Sequence, residues 1–326
     1  MPGSQPDHRG PILFLVLLVI VALLVVAWGA RDESAGGAAP AAHPAGRPSP
    51  SPASPSATAE PSAEATPRTK VRPKVFGRQT FLVAYYGSGQ TPALGVLGES
   101  RPNVIDRRLR AAAQPFARHG YDVRHVYELI VTIADGSPGP DGDYSHDIPR
   151  SEVQRYLAAA RRHDALLLLD LQPGRSDFLD VAKRWAWALK DPRVGLALDP
   201  EWRMGPHQVP ARTVGQVRAR EVNRTTAWLA RMVRRHDLPQ KLLVLHQFRR
   251  DMVEDIAQVR DRPDLAMVQH VDGFGTQRQK RATYHAVARP RQFTMGFKLF
   301  YDEDVRRMGP REVHALRPRV RFVSFQ

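Results

Sequence analysis

Apolar and polar positions divide the chain into three regimes. Pro11 to Ala30 is an apolar stretch without a single charge. Ser34 to about Lys74 carries almost no large apolar residue. From Gly77 onward, short apolar runs alternate with segments of helical spacing. The runs cover 81–86, 121–130, 164–170, 193–202, 241–247, 265–274, 293–301 and 320–325. Short apolar runs bounded by turn residues predict strands. Helices are predicted over 103–119, after Ser151 as a cap, through Phe178, Val181, Trp185 and Leu189, and over 214–236. Eight strands, mostly separated by helices, predict an α/β fold, a (β/α)8 TIM-like barrel over 77–326. A doubly wound open sheet is the alternative. It normally carries a glycine-rich nucleotide turn after its first strand. Gly87-Ser88-Gly89 lacks the third glycine and the helix start.

The fourth run, Arg193 to Trp202, has the most to say about chemistry. Side chains alternate along a strand, so Val194, Leu196 and Leu198 share one face. Gly195, Ala197, Asp199 and Glu201 share the other. With the aliphatics packed outward against helices, the small residues and both acids point inward. Pro200 cannot donate a ladder hydrogen bond, so pairing stops there and the acids stand at a mouth. Paired carboxylates beside an aromatic are what glycosidic hydrolysis uses. A plain turn, with Asp199 capping a loop and Glu201 in solvent, competes with that reading.

Barrel enzymes carry their sites at the C-terminal ends of the strands. The runs here end, in order, in Tyr85-Tyr86, Glu128, Asp170 with Gln172, Asp199 with Glu201 and Trp202, His246-Gln247, Gln269 with His270 and Asp272, Lys298 with Tyr301, and Ser324 with Gln326. Polar residues thus recur at one end of nearly every run. Glu201 and Asp199 are the candidate catalytic pair. Asp170, Tyr85, Tyr86, Trp202, His246, Gln247, Asp272, Lys298 and Gln326 are candidate substrate contacts. For each, a packing or turn role is the competing reading.

Composition narrows the setting. The 326 residues contain no cysteine, which excludes disulfides, thiolate metal sites and a cysteine nucleophile. There is no HExxH and no Gly-x-Ser-x-Gly elbow. The acidic loop with Asp135, Asp141, Asp143 and Asp147 lacks the regular ligand alternation of an EF-hand. Neither a metal nor a cofactor is therefore expected. Net charge is +15, which favours anionic partners. Residues before Gly77 hold seven Lys and Arg against five Asp and Glu, so most of the excess lies on the barrel.

The apolar stretch 11–30 is long enough to cross a bilayer as a helix, and it follows a short tail, 1–10. It is expected to be a single-pass signal anchor at the cell membrane, with the barrel extracytoplasmic. Secretion after signal cleavage is the alternative. Residues 31–76 are expected to be a disordered Pro/Ala/Ser-rich linker, too poor in apolar surface to fold. An extracytoplasmic location argues against nucleic acid as partner.

The Asp199-Pro200-Glu201 ending resembles the fourth-strand acids of barrel glycoside hydrolases of the family-25 muramidase and family-18 chitinase kinds. The resemblance implies that Glu201 is the general acid. It implies that Asp199 orients it or positions a substrate acetamido group. Asp272 and Gln326 would suit a muramidase-like pocket. The chain departs from both families. Tyr85-Tyr86 stands where muramidases have an acid, and Ala197 replaces an acid of the longer chitinase motif. The expected function is hydrolysis of a cell-wall or surface polysaccharide. A non-catalytic barrel that binds anionic wall polymers is the alternative.

Overall fold

The computed structural model describes residues 72–326. The expected anchor at 11–30 and nearly all of the expected linker lie outside the described residues. Among the described residues, no helix is long and apolar enough to cross a membrane.

The strands are β1 (Thr80–Gly87), β2 (Asp122–Ala134), β3 (Ser145–Asp147), β4 (Leu166–Leu171), β5 (Val194–Leu198), β6 (Val217–Arg218), β7 (Lys241–Gln247), β8 (Val253–Glu254), β9 (Leu265–Val271), β10 (Thr294–Leu299) and β11 (Val320–Phe325). The helices are α1 (Pro102–Ala117), α2 (Arg150–His163), α3 (Phe178–Arg184), α4 (Ala186–Leu189), α5 (Ala219–Arg235), α6 (Gln277–Val287) and α7 (Pro310–His314). Eight strands pair in parallel in the order β1, β2, β4, β5, β7, β9, β10, β11, and β11 pairs back onto β1. The sheet therefore closes, and a (β/α)8-type barrel results. All eight apolar runs supply one barrel strand each.

Two local features depart from expectation. The helix after the acidic loop begins at Arg150, behind Pro149, so Ser151 lies inside its first turn and caps nothing. The helix over 178–189 breaks at Trp185. The Trp185 indole N–H donates to Thr132 Oγ1 at 3.0 Å, a tertiary contact that no periodicity encodes. The β7–β9 connection has no α-helix. It uses 3-10 turns and β8, which pairs in parallel with β6, and Asp255 there adopts a left-handed backbone.

The strands have two apolar faces. Outward residues such as Leu167, Leu196, Leu245 and Phe297 pack against the helices. Inward residues such as Leu82, Leu168, Val244 and Phe322 form a separate cluster within the barrel. Val75 joins that inner cluster, 5% exposed, from ahead of the first strand. Its N–H donates to Gln240 Oε1, and Arg72 pairs with Asp264. Burying Val75 contributes roughly 1.5–2 kcal/mol. The tightest point inside is Gly195: a Cβ there would lie 2.5 Å from Leu242 O and 3.1 Å from Leu168 Cδ1.

Candidate functional site

Each barrel strand changes character two residues further along its inward face. Ala84 is followed by Tyr86, Val126 by Glu128, Leu168 by Asp170 and Ala197 by Asp199. Val244 is followed by His246, Val268 by His270, Gly296 by Lys298 and Phe322 by Ser324. The period of two places both members of each pair on one face. The eight polar members are at most 4% exposed. They form a second, polar layer at the C-terminal end of the barrel, above the apolar one.

His246 is the hub of this layer. Its Nδ1 lies 3.0 Å from Asp272 Oδ2. Its Nε2 lies 3.2 Å from Glu128 Oε1 and 3.7 Å from Asp170 Oδ1. Burial alone would discharge this ring, but Asp272 and Glu128 outweigh it and hold His246 well above the ordinary histidine value. His270 sits beside it, ring centroids 5.1 Å apart, with Nε2 3.1 Å from Ser324 Oγ. Burial, then the neighbouring His246 and Lys298 charges, push His270 well below the ordinary value. The Tyr86 hydroxyl donates to Asp170 Oδ2 at 3.0 Å and accepts from Gln172 Nε2 at 3.2 Å. Lys298 Nζ lies 3.4 Å from the centroid of the Tyr86 ring, a cation–π contact. Beneath the rim, Lys280 pairs with Asp304 at 2.9 Å and donates to Gly273 O and Lys298 O, which ties together the loops after β9 and β10.

The end of β5 runs into a 3-10 turn, Pro200–Trp202. Asp199 caps it: its Oδ1 accepts the Glu201 N–H at 3.1 Å. Asp199 is buried, whereas Glu201 and Trp202 are partly open at the mouth. Burial raises the Glu201 carboxyl to about 7, and Asp272 adds to the shift. Burial, with Asp170, Glu201 and Asp272 nearby, holds Asp199 well above the usual carboxylate range. Asp170 is pushed up to about 6, by burial first and by Glu128 also.

Of the candidate residues, the structure gathers Asp199, Glu201, Trp202, Asp170, Tyr86, His246, Asp272 and Lys298 at this end of the barrel. Tyr85, Gln247 and Gln326 are placed differently. Tyr85 points outward into the layer between barrel and helices, where it packs on Phe325 and lies 3.2 Å from the Tyr301 hydroxyl. Gln247 also lies on the outward face. It donates to Arg249 O and accepts from Gln269, which ties down the loop after β7. Gln326 exchanges backbone hydrogen bonds with Leu299 and Tyr301. Three residues outside the candidate set, Glu128, His270 and Ser324, complete the inner layer. The alternation Val126-Glu128, Val268-His270 and Phe322-Ser324 was the signal that could have included them. In the acidic loop the carboxylates are engaged locally. Asp143 accepts from Ser145 and Ser176, Asp135 bonds His146, and Asp147 accepts from Thr132.

Six buried polar atoms of the inner layer lack a hydrogen-bond partner: both oxygens of Glu128, Asp170 Oδ1, His246 Nε2, His270 Nδ1 and Asp272 Oδ1. Only three other such atoms occur among the described residues. Native interiors rarely leave such groups unpaired, so their concentration here marks a place built for something other than packing. Among the described residues, His246, His270 and Asp272 form a group that could hold a metal ion.

No known family model matches this chain, and no curated protein is significantly similar to it in sequence. The site's own chemistry must therefore carry the functional reading.

Proposed function

We propose that the chain hydrolyses glycosidic bonds in a cell-wall or surface polysaccharide, with Glu201 as general acid. The observation that carries this reading is the position of Glu201. It is the partly open carboxyl at the mouth, held by a backbone bond to a buried acid beneath it. A leaving-group oxygen at the mouth would meet Glu201 first. A carboxyl raised to about 7 holds its proton near neutral pH, as a general acid must. Asp199 orients the turn that carries Glu201, or positions an acetamido group. Asp170 and Asp272 bind sugar hydroxyls, with Tyr86 and Lys298 beside them. Trp202, partly open at the mouth, offers a ring face for stacking on sugars. The test compares the full-length chain with Glu201→Gln on purified wall polysaccharides, reading new reducing ends and bound polymer together. Release by the parent alone, with binding retained in both, is the expected result. Equal release by the variant would remove Glu201 from the acid role.

A second reading, non-catalytic binding of an anionic wall polymer, is favoured by a separate feature. A groove of about 800 Å³ runs between α5 and residues 258–262. Arg220, Arg231 and Arg260 line it, their guanidinium groups without a hydrogen-bond or ion-pair partner among the described residues, although the Arg260 backbone N–H donates to Asn223 Oδ1. Binding led by this groove should weaken steeply with salt and with Arg220→Glu and Arg231→Glu, while sugars closed in the barrel mouth should be far less salt-sensitive.

A further inference from the structure

We infer that the barrel interior binds one divalent metal ion, held by His246, His270 and Asp272. One donor atom from each residue lies within 4.8 Å of the other two. His246 Nδ1 and Asp272 Oδ2 are already 3.0 Å apart. Two donors on one tetrahedral ion lie roughly 3.4 Å apart, so the widest pair closes by at most about 1.4 Å, within the reach of a side-chain rotation.

Two free valences point the same way. His270 is fully buried, yet its Nδ1 has no partner; Asp272 is 7% exposed, and its Oδ1 has none either. The remaining ring nitrogens face groups that can orient them. Ser324 Oγ holds His270 Nε2 at 3.1 Å. Glu128 faces His246 Nε2 at 3.2 Å, with Asp170 at 3.7 Å. Ligating imidazoles are generally steered in this manner through their second nitrogen. With Nε2 turned to Ser324, His270 offers a free Nδ1; His246 Nδ1, now 3.0 Å from Asp272 Oδ2, would exchange its proton for the ion.

Charge supplies a separate reason. Four acids, Glu128, Asp170, Asp199 and Asp272, are buried in this layer, faced by His246, Lys298 and Lys280. Buried carboxylates need compensation by protons, cations or metal. A divalent ion beside His246 compensates two of them at once. Two imidazoles and one carboxylate suit zinc or a late first-row ion, and suit calcium and magnesium poorly, since those prefer all-oxygen shells. The three ligands come from two neighbouring strands and the turn after one of them, so no spacing motif announces them.

The site lies beneath Glu201 and does not rest on the glycosidase reading, because ion binding is measured without substrate. The full-length chain is stripped with chelator and titrated calorimetrically with zinc chloride and manganese chloride. The expected result is one ion per chain. His270→Ala and Asp272→Asn, each checked by circular dichroism for a retained fold, should abolish measurable binding, and Ser324→Ala should weaken it about tenfold. No binding to the folded parent overturns the inference, as does unchanged affinity in the folded ligand variants. Should those variants unfold, an anomalous difference peak in manganese-soaked crystals of the parent decides. A peak between the three donors upholds the site, and a peak elsewhere or none overturns it. Reducing-end release that fails while the ion binds removes the glycosidase reading alone.

Discussion

The lower and upper halves of the barrel interior are made by the same eight strands and differ by a step of two residues. Below, Ala84, Val126, Leu168, Ala197, Val244, Val268 and Phe322 pack with Leu82 and Val75 into a closed apolar plug. Above, Tyr86, Glu128, Asp170, Asp199, His246, His270, Lys298 and Ser324 form a layer just as buried but dense in charge. The lower half obeys packing alone. Its atoms lose water and gain contacts, which stabilises the fold by roughly 25 cal/mol per Å². The upper half loses water as well, yet leaves six polar atoms without a hydrogen-bond partner, two of which, His246 Nε2 and Glu128 Oε1, face each other only as an ion pair. A buried group of that kind costs about 1–3 kcal/mol. One half therefore holds the barrel together, and the other is carried by it. Sites that do chemistry commonly stand in this relation to their scaffold.

The largest effect that would sharpen this contrast is chemical. Glu201→Gln should lower reducing-end release by about 10²–10⁴-fold, the usual worth of a general acid, while the thermal midpoint stays near that of the parent. A loss of fold in this variant would make Glu201 part of the scaffold and blur the division. Next comes the reverse exchange, a charge moved into the lower half. Val244→Asp places a carboxylate among apolar neighbours with nothing to pair it, and denaturant unfolding should show a loss of about 3–5 kcal/mol.

The same chemical class removed from the upper half should behave in the opposite way. Asp199→Asn keeps an oxygen to accept the Glu201 N–H and removes an acid repelled by Asp170, Glu201 and Asp272. Stability should stay level or rise by up to about 1 kcal/mol, while release falls. A loss beyond about 2 kcal/mol would mean that the upper layer supports the fold as the lower one does. The smallest effect is a pH slope, measured with chelator present. The Glu201 carboxyl is raised from 4.5 to about 7 in the native state. The native protein therefore keeps that proton where the unfolded chain has released it. The contribution to stability is fully present below pH 4.5 and is lost as pH rises to about 7. The difference curve between the parent and Glu201→Gln should show this decline, and a flat difference would place Glu201 in ordinary solvent.

Much of this organisation was open to a reader of the chain alone. Eight apolar runs predicted eight strands, and each forms one strand of the barrel. The turn at Asp199-Pro200-Glu201 followed from proline's missing N–H and from strand alternation. Both are local properties, written in residue type and spacing. What the spacing could not supply, outside the fourth run, was the direction of each strand's faces. Tyr85 and Tyr86 are adjacent and alike in composition. Closure of β1 between β2 and β11 sends Tyr86 to Asp170 and Tyr85 to Phe325. Gln247 and His246 divide in the same way. The clustering of Glu128, His246, His270 and Asp272 also waited for the tertiary structure. Glu128 and His246 are far apart in the chain and on different strands, and only barrel closure brings His246 Nε2 to 3.2 Å from Glu128. Local sequence thus determined the strands and the polarity of their ends. Closure of the sheet decided which polar ends meet, because inward and outward become distinct only once the barrel has an inside.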